Sequence, residues 1–393
     1  MENDTGDKER TWLINASAEQ ASRFLIWHKG KIAVSDKGTN LIWKSHDFLD
    51  RLRDLQPSVV PYEFDPKPHR IGTVLLLLGK TKNTQGLSKV NVHDPILLMP
   101  DAWRFAVDLS VLDEDALLAL LSEEASTNNS LVSPRSLMGT LVDDPGAMAV
   151  AGITAARMNW HNEVQYCRKS GRRTVPTGAG HRRKDPEQDN HRESISYPRT
   201  DPVAIMLVQS PGGDKCLLGR TKRRHNSNMY SCLAGFIEQA ESVEDAVRRE
   251  VEEEAGVEIS NYEDVRLVGS QPWPIGAAGH SELMLGCIAT AANETIHINH
   301  EEMDDVRWFT REEAKSLLKR STEKNVMGDA TKPITVPPPY AIAHHLIKTW
   351  VETTENGREK REEMTPSWNW NVVALSAGCG VILGSILTKV SSL

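Results

Sequence analysis

Apolar residues along the chain fall into short runs bounded by turn residues and into segments with helical spacing. The short runs predict buried strands at 73–78, 96–99, 203–208, 216–219, 265–268, 283–289 and 306–309. The helical spacing predicts helices over 113–124, 145–164, 242–256, 311–318 and 340–351, whereas the polar 125–136 segment predicts a loop. Strands and helices that share a chain in this way predict the α+β class.

A polar stretch divides this pattern into two parts. Residues 168–192 contain eight Lys or Arg and almost no apolar residue, which predicts a loop or a small subdomain. We therefore expect a mixed α/β N-terminal domain over 1–145, a connecting helix and polar segment over 146–196, a second domain over 197–351 and a linker over 352–371.

The C-terminal segment 372–388 carries no charge and contains small residues at every fourth position, Ser376, Gly380 and Gly384. As a helix it would span about 25 Å, the short limit for crossing a bilayer. It predicts a tail anchor in an intracellular membrane, with the rest of the chain facing the cytoplasm. A core helix or a disordered tail in a soluble cytoplasmic protein is the alternative. The peroxisome is a further alternative, although the final Ser-Ser-Leu is a poor match to a peroxisomal signal.

Composition narrows the class of protein. The 393 residues are 39% hydrophobic and 25% charged, which excludes collagen, a multi-pass membrane protein and a largely disordered chain. The formal net charge of −8 lacks the basic field of an indiscriminate nucleic-acid binder. Five scattered cysteines form no disulfide framework and favour a reducing compartment.

The most informative chemistry lies in the acidic segment 235–257. Ser242 predicts a helix start and Gly256 a helix stop. This helix places Glu250 and Glu254 one turn apart on one face, with Glu253 alongside. Only oxygen ligands are offered, so Mg²⁺ or Mn²⁺ is the expected cation. A solvated acidic helix is the alternative interpretation, and the fixed spacing described next argues against it.

Seven fixed positions in this segment match the whole Nudix box, Gly-x5-Glu-x7-Arg-Glu-U-x-Glu-Glu-x-Gly-U. They are Gly235, Glu241, Arg249, Glu250, Glu253, Glu254 and Gly256, with aliphatic Val251 and Val257. This resemblance to the Nudix hydrolases implies an α/β/α sandwich and metal-assisted hydrolysis of a nucleoside diphosphate linked to another moiety. It implies that Glu250, Glu253 and Glu254 ligate metal and activate water, without dividing those roles among them.

A second motif, Ser-Gln-Pro-Trp-Pro at 270–274, resembles the signature of the NAD(H) pyrophosphatases, a branch that also removes NAD caps from RNA. Segments 197–202, 232–236, 307–309 and 338–343 resemble the same branch in the expected order. The resemblance implies cleavage of NADH or NAD⁺ to nicotinamide mononucleotide (NMN) and AMP, action on NAD-capped RNA, and a homodimer. It further implies metal ligation at Ala234 and Glu302, and substrate contacts at Tyr197, Phe236, Gln271, Pro272, Trp273, Pro274, Ser281 and Ala343.

Two departures from this branch affect the prediction. The segment 275–281 is longer by about four residues and rich in glycine, so we expect a looser loop after Trp273. The branch usually has a four-cysteine zinc site, but Ser170 replaces the second cysteine after Cys167, and the other pair falls near Lys184 and Asp189. One thiolate makes a poor zinc site, so we expect no structural zinc.

These departures leave two other functions open. The altered loop is compatible with a Nudix hydrolase acting on ADP-ribose, diadenosine polyphosphates or another cap. The lost cysteines are compatible with a catalytically inactive, membrane-tethered nucleotide-binding module, although the intact Nudix box argues against that interpretation.

Overall fold

The computed structural model describes residues 11, 15–19, 22–35, 38, 40–55, 74–80, 103–122, 129–141, 144–188, 194–224, 227–276, 279–323, 331 and 333–353. These residues form two compact units. Unit 1 draws its described residues from 1–199 and 274–280, and unit 2 draws its own from 200–273 and 281–367.

Unit 1 is built on a seven-stranded mixed sheet, as far as its described residues show. Its strands are β1 (Arg23–His28), β2 (Lys31–Ser35), β3 (Asn40–Leu41), β4 (Trp43–Lys44), β5 (Leu75–Lys80), β6 (Trp103–Asp108) and β7 (Ser130–Val132). The order is β3-β2-β1-β6-β5, with β4 paired to β1 and β7 to β2. Strands β1 and β6 run parallel, and the other pairs are antiparallel.

Both faces of this sheet are buried, each by its own apolar cluster. Successive side chains of a strand point to opposite faces, so neighbouring residues enter different clusters. Phe24 and Ile26 belong to one apolar cluster, and Leu25 and Trp27 belong to another. Helices α1 (His46–Leu55) and α2 (Glu114–Ser122) contribute to the first cluster, whereas α3 (Pro134–Thr140) and α4 (Pro145–Glu163) contribute to the second. Burial on both faces explains why the strands are almost continuously apolar.

The described part of the polar segment, 168–188, forms a small sheet together with residues 195–196. Strands β8 (Val175–Thr177), β9 (Arg182–Lys184) and β10 (Ile195–Ser196) pair antiparallel in the order β10-β9-β8. Buried Arg183 donates from Nη1 to His161 Nδ1 on α4 over 3.1 Å and from Nε to Thr174 Oγ1 over 2.8 Å. The buried guanidinium therefore ties this small sheet to α4 by hydrogen bonds.

Unit 2 contains a six-stranded sheet among its described residues. Its strands are β11 (Thr200–Gln209), β12 (Lys215–Thr221), β13 (Leu233–Phe236), β14 (Val265–Trp273), β15 (Ser281–Thr290) and β16 (Met303–Thr310). The order is β14-β15-β11-β12-β16, with β13 paired to β11. Strands β11 and β15 run parallel over their whole length, from Thr200 beside Ser281 to Gln209 beside Thr290.

Helices cover both faces of the unit 2 sheet. Helix α5 (Val243–Ala255) packs its apolar side into a cluster that includes Cys287 and Ala289 of β15. Helix α7 (Ile342–Glu352) lies against Gly286 of β15. Gly286 and Cys287 are consecutive and therefore face opposite sides of the sheet, so α7 covers the side away from α5. Helix α6 (Arg311–Arg320) follows β16 directly and packs with α7. The observed layering is helix, sheet, helix.

The structure confirms the predicted helices over 113–124, 145–164, 242–256, 311–318 and 340–351 and the predicted strands of unit 2. The predicted loop over 125–136 is wrong, because β7 and the start of α3 lie there. Ser133 caps α3 with its side chain and Pro134 occupies the first turn, a combination that starts helices. Strands β1–β4, β6 and β13 and helix α1 were not predicted.

Two predicted segments, the strand at 96–99 and the tail at 372–388, lie outside the described residues. In the part of the chain that the structure does describe, no helix combines the length and the apolarity that a membrane crossing needs.

Candidate active site

Helix α5 presents two carboxyl groups on its buried side. Its N-terminus is capped by Ser242, whose Oγ accepts from Asp245 N over 3.1 Å, and it ends at Gly256, which has φ +62°. Val247 and Val251 are fully buried against the sheet. Glu250 and Glu254 share this side and retain only 9% and 6% exposure. The apolar face therefore carries both acids toward the sheet.

Gly235 faces Glu250 directly. A Cβ added at Gly235 would lie 1.9 Å from Glu250 Cδ, so the carboxyl group occupies the space that any side chain at position 235 would need. Gly235 lies in β13, where it pairs with Ala204 of β11. Its glycine requirement comes from this close approach and not from a turn.

Arg249 binds three carboxylates, one just before α5 and two on the helix itself. Its Nε and Nη2 donate to Glu241 over 2.7 and 2.9 Å, and its Nη1 donates to Glu250 over 2.7 Å and to Glu253 over 3.2 Å. Hydrogen bonding with Arg249 lowers the pKa of Glu241, and the same bond raises the pKa of Arg249. The Glu241 fork fixes the guanidinium, which in turn orients Glu250. The sequence showed Glu241 and Arg249 as motif positions but not this fork.

Burial and mutual repulsion favour the protonated forms of Glu250 and Glu254. Burial, followed by the charges of Glu250 and Glu302, raises the pKa of Glu254 to about 8. Burial also raises the pKa of Glu250, although Arg249 opposes the shift. Among the described residues, Glu254 Oε2 has no hydrogen-bond partner. A buried carboxylate among like charges is stabilised by a cation, so the donor set suits a hard divalent ion.

The charge of Glu302 acts on Glu250 and Glu254, and backbone hydrogen bonds hold the turn that carries Glu302. Its carbonyl accepts from Lys222 N over 2.8 Å, and Asn299 N donates to Glu254 O over 3.2 Å. The turn carrying Glu302 is thereby tied to the end of α5, a link that sequence reasoning missed. No three His, Cys, Asp or Glu side chains of the described residues are already arranged to ligate a metal, and two of the acids contact Arg249 instead.

Gln271 connects the Trp273 strand to helix α7. Its Nε2 donates to Tyr340 O over 2.7 Å, and its Oε1 accepts from Ile342 N over 2.8 Å. Both ends of the amide therefore bind the chain just before Ala343. Ala343 is buried, and its carbonyl accepts a weak hydrogen bond from Cys232 Sγ at 3.8 Å. Sequence reasoning predicted both residues as substrate contacts and missed this link.

The other predicted substrate residues of unit 2 lie at strand ends. Phe236 ends β13 with 49% of its surface exposed, and its carbonyl accepts from Arg249 Nη2 over 2.9 Å. Trp273 is the half-buried last residue of β14, next to exposed Pro272. Ser281 begins β15. Phe236 and Trp273 thus offer partly exposed ring faces for stacking.

Tyr197 and Pro274 belong to unit 1. Tyr197 is 63% exposed, whereas Pro274 lies so close to α4 that a Cβ added at Gly152 would be 2.4 Å from Pro274 Cγ. The described part of the loop after Pro274 contacts α3 and α4. Arg135 donates to Ile275 O over 2.8 Å, and His280 lies 3.5 Å from Glu163.

Comparison with known proteins agrees with this geometry. A family model described as the NUDIX domain matches residues 198–329. The chain is 42% identical over 213 residues to NAD-capped RNA hydrolase NUDT12 of Homo sapiens, covering 52% of this chain and 43% of the relative. It is 38% identical over 244 residues to Nudix hydrolase 19, chloroplastic, of Arabidopsis thaliana, covering 55% and 54%. The chain spans about half the length of these two relatives.

A third relative matches over a larger share of both chains. The chain is 34% identical over 286 residues to NAD(P)H pyrophosphatase NUDT13, mitochondrial, of Mus musculus. The match covers 70% of this chain and 76% of the relative, so it extends well beyond the Nudix box. The chain therefore belongs to the Nudix hydrolase family, in the branch of the NAD(H) pyrophosphatases.

Proposed function

We propose that this chain hydrolyses the pyrophosphate bond of NADH or NAD⁺ to NMN (or its reduced form) and AMP, with Mg²⁺ or Mn²⁺. The same cleavage on NAD-capped RNA leaves a 5′-monophosphate end. The acidic face of α5, where Glu250 and Glu254 are buried and Glu250 packs against Gly235, is the observation that carries this proposal. The names NAD-capped RNA hydrolase and NAD(P)H pyrophosphatase, borne by two relatives, support the substrate class.

The chemistry divides between the cation and the chain. Glu250, Glu253, Glu254, Glu302 and the backbone of Ala234 would hold the metal. A bound divalent cation neutralises charge on the phosphoryl oxygens and lowers the pKa of the attacking water. The chain's own contribution is positional, because the Glu241 fork on the guanidinium keeps the Glu250 carboxylate in one orientation.

Aromatic side chains are proposed to hold the rings of the dinucleotide. Phe236 and Trp273 are partly exposed at strand ends, and stacking on such a ring contributes about 1–3 kcal/mol per base. Gln271 binds the backbone on both sides of Ala341, so it positions the chain that leads into Ala343. Tyr197, Pro272, Pro274 and Ser281 remain proposed contacts by family resemblance.

The test is product analysis with the full chain. NADH incubated with Mg²⁺ is expected to yield the two mononucleotides in equal amounts, and a chelator is expected to stop the reaction. Glu253→Gln should abolish turnover, whereas Glu252→Gln, an exposed neighbour at a variable position of the Nudix box, should retain it. Equal turnover by both variants, or no metal-dependent product, would refute the proposal. NAD-capped RNA and ADP-ribose are run in parallel to rank substrates.

Homodimerisation remains a proposal from the family resemblance. A tail anchor remains a proposal from the uncharged segment 372–388. We expect the chain to stay in a carbonate-washed membrane pellet only when residues 366–393 are present. Release of the full chain from that pellet would contradict the anchor and would leave the cytoplasm or the peroxisome as its location.

A further inference from the structure

The turn from Cys167 to Arg172 keeps a tight backbone geometry where the branch usually has its first pair of zinc ligands. Gly171 N donates to Cys167 O over 2.9 Å, and Cys167 N donates to Arg172 O over 2.8 Å. Gly171 has φ +69°, which favours glycine. The turn is therefore formed although only Cys167 of the expected pair is a cysteine.

Asp185 lies opposite this turn. Ser170 Oγ donates to Asp185 Oδ2 over 2.6 Å, and Arg172 Nε donates to the same oxygen over 3.0 Å. The other oxygen, Oδ1, accepts from Glu187 N over 3.0 Å. Counting along the sequence placed the second ligand pair near Lys184 and Asp189, but Asp185 is the residue that faces Ser170. The side-chain amide oxygen of Gln188, three residues after Asp185, is also buried.

These residues do not fit zinc. Both carboxylate oxygens of the fully buried Asp185 already accept hydrogen bonds. The guanidinium of Arg172 contacts Oδ2, the position that a zinc ion would need. Ser170 offers a hydroxyl, which is not among the usual protein ligands of zinc. Burial alone would raise the pKa of Asp185, but hydrogen bonds from Ser170, Glu187 and Arg172 outweigh burial and lower it. The carboxylate is thus held ionised by the chain itself.

We propose that Arg172, Asp185 and Ser170 form a metal-free structural cluster that takes the place of the zinc site of this branch. The guanidinium supplies the positive charge, and the buried carboxylate joins the 167–172 turn to the end of β9. The fold of segment 165–188 is then independent of zinc supply and of thiol oxidation at the replaced positions. This inference does not depend on the substrate of the enzyme.

Metal analysis tests the first consequence. The full chain, produced with ample zinc and dialysed against Mg²⁺ buffer, is expected to contain far less than one zinc atom per molecule. A zinc-selective chelator is expected to leave Tm and Mg²⁺-dependent activity unchanged. Stoichiometric zinc, or a fall in Tm with the chelator, would overturn the proposal.

Two single variants test the cluster itself. Asp185 is the test position, and Glu187, an exposed residue that also contacts Arg172, is the control position. Asp185→Asn is expected to lower Tm by about 5 °C and to speed amide exchange over 167–188, because it removes a buried charge-assisted bond. Glu187→Gln should change Tm little, since Glu187 is 70% exposed where it meets Arg172 at 3.1 Å. Equal shifts in the two variants would overturn the proposal.

A third variant keeps the test decisive if Asp185→Asn does not fold. Arg172→Gln alters a side chain that is 43% exposed, so the chain is expected to fold with a lowered Tm and faster exchange over the same segment. The double variant Asp185→Asn/Arg172→Gln should lose less stability than the sum of the single losses. Wild-type Tm and wild-type exchange in Arg172→Gln would contradict the cluster.

Discussion

Gly235→Ala is the sharpest perturbation of the candidate active site. The added Cβ would lie 1.9 Å from Glu250 Cδ and 2.0 and 2.1 Å from its two oxygens. Carbon atoms in contact prefer separations of about 3.5 Å or more, so the carboxyl group must retreat by roughly 1.6 Å. The substitution therefore displaces one proposed metal ligand while leaving its chemistry intact.

Glu250 is not free to retreat without cost. Its Oε1 accepts from Arg249 Nη1 over 2.7 Å, and Arg249 is itself fixed by the two Glu241 contacts. Breaking one charged hydrogen bond costs about 1.5–3 kcal/mol. Misplacing a catalytic group by about 1 Å reduces the rate about 100-fold. We expect kcat/KM for NADH to fall at least about 100-fold, equivalent to roughly 2.7 kcal/mol of transition-state stabilisation.

The assay is initial-rate hydrolysis of NADH across Mg²⁺ concentrations, with thermal unfolding as a check on folding. Gly269→Ala is the matched control, because it also lies in a strand of unit 2 and a Cβ there meets nothing within 4 Å. The control should keep its activity, and the test variant should also need more Mg²⁺. Equal kcat/KM in the two variants would refute the role given to the close approach of Gly235 and Glu250.

Three further predictions concern residues around the site and in unit 1. Arg249→Lys keeps a charge but loses the fork to Glu241, so kcat should fall about 10- to 100-fold, and unchanged kcat would contradict the orienting role. Gln271→Leu removes both hydrogen bonds to the backbone before α7, so amide exchange at the start of α7 should accelerate, and wild-type exchange there would argue against that link. Burial lowers the pKa of His161 to about 3 and that of His181 to about 4. The unfolded chain binds these protons below about pH 6.5 while the folded chain does not, so stability should fall by roughly 2 kcal/mol per histidine between pH 7 and pH 5. Denaturant unfolding at both pH values measures this loss, and an equal loss in His181→Gln would contradict it.

Local signals made much of unit 2 predictable. Ser242 and Gly256 mark both ends of α5, and the spacing of its acids places Glu250 and Glu254 on one face. Their burial did not follow from the sequence, because charged residues are seldom buried and only the apolar face of the helix draws them inward. The long parallel pairing of β11 with β15 likewise depends on contacts between residues about 80 positions apart.

Contacts between distant residues account for what sequence reasoning missed. Gln271 binds backbone atoms about 70 residues away. Asp185 accepts a hydrogen bond from Ser170, whereas the spacing along the sequence indicated the preceding residue, Lys184. Strands β3 and β4 are only two residues long, and β4 ends in buried Lys44, so neither carries an apolar run. In each case the deciding interaction is tertiary, and a window along the chain does not contain it.

The central claim, that the acids of α5 support metal-dependent hydrolysis of a pyrophosphate, is tested most directly by mass spectrometry of the products formed in ¹⁸O-labelled water. With NADH and Mg²⁺, the full chain is predicted to yield AMP and the reduced mononucleotide in equal amounts, with one ¹⁸O atom on the phosphate of one product, and to yield neither after chelation. Formation of nicotinamide and an intact adenosine diphosphate moiety, or unchanged products without a divalent cation, would contradict the account.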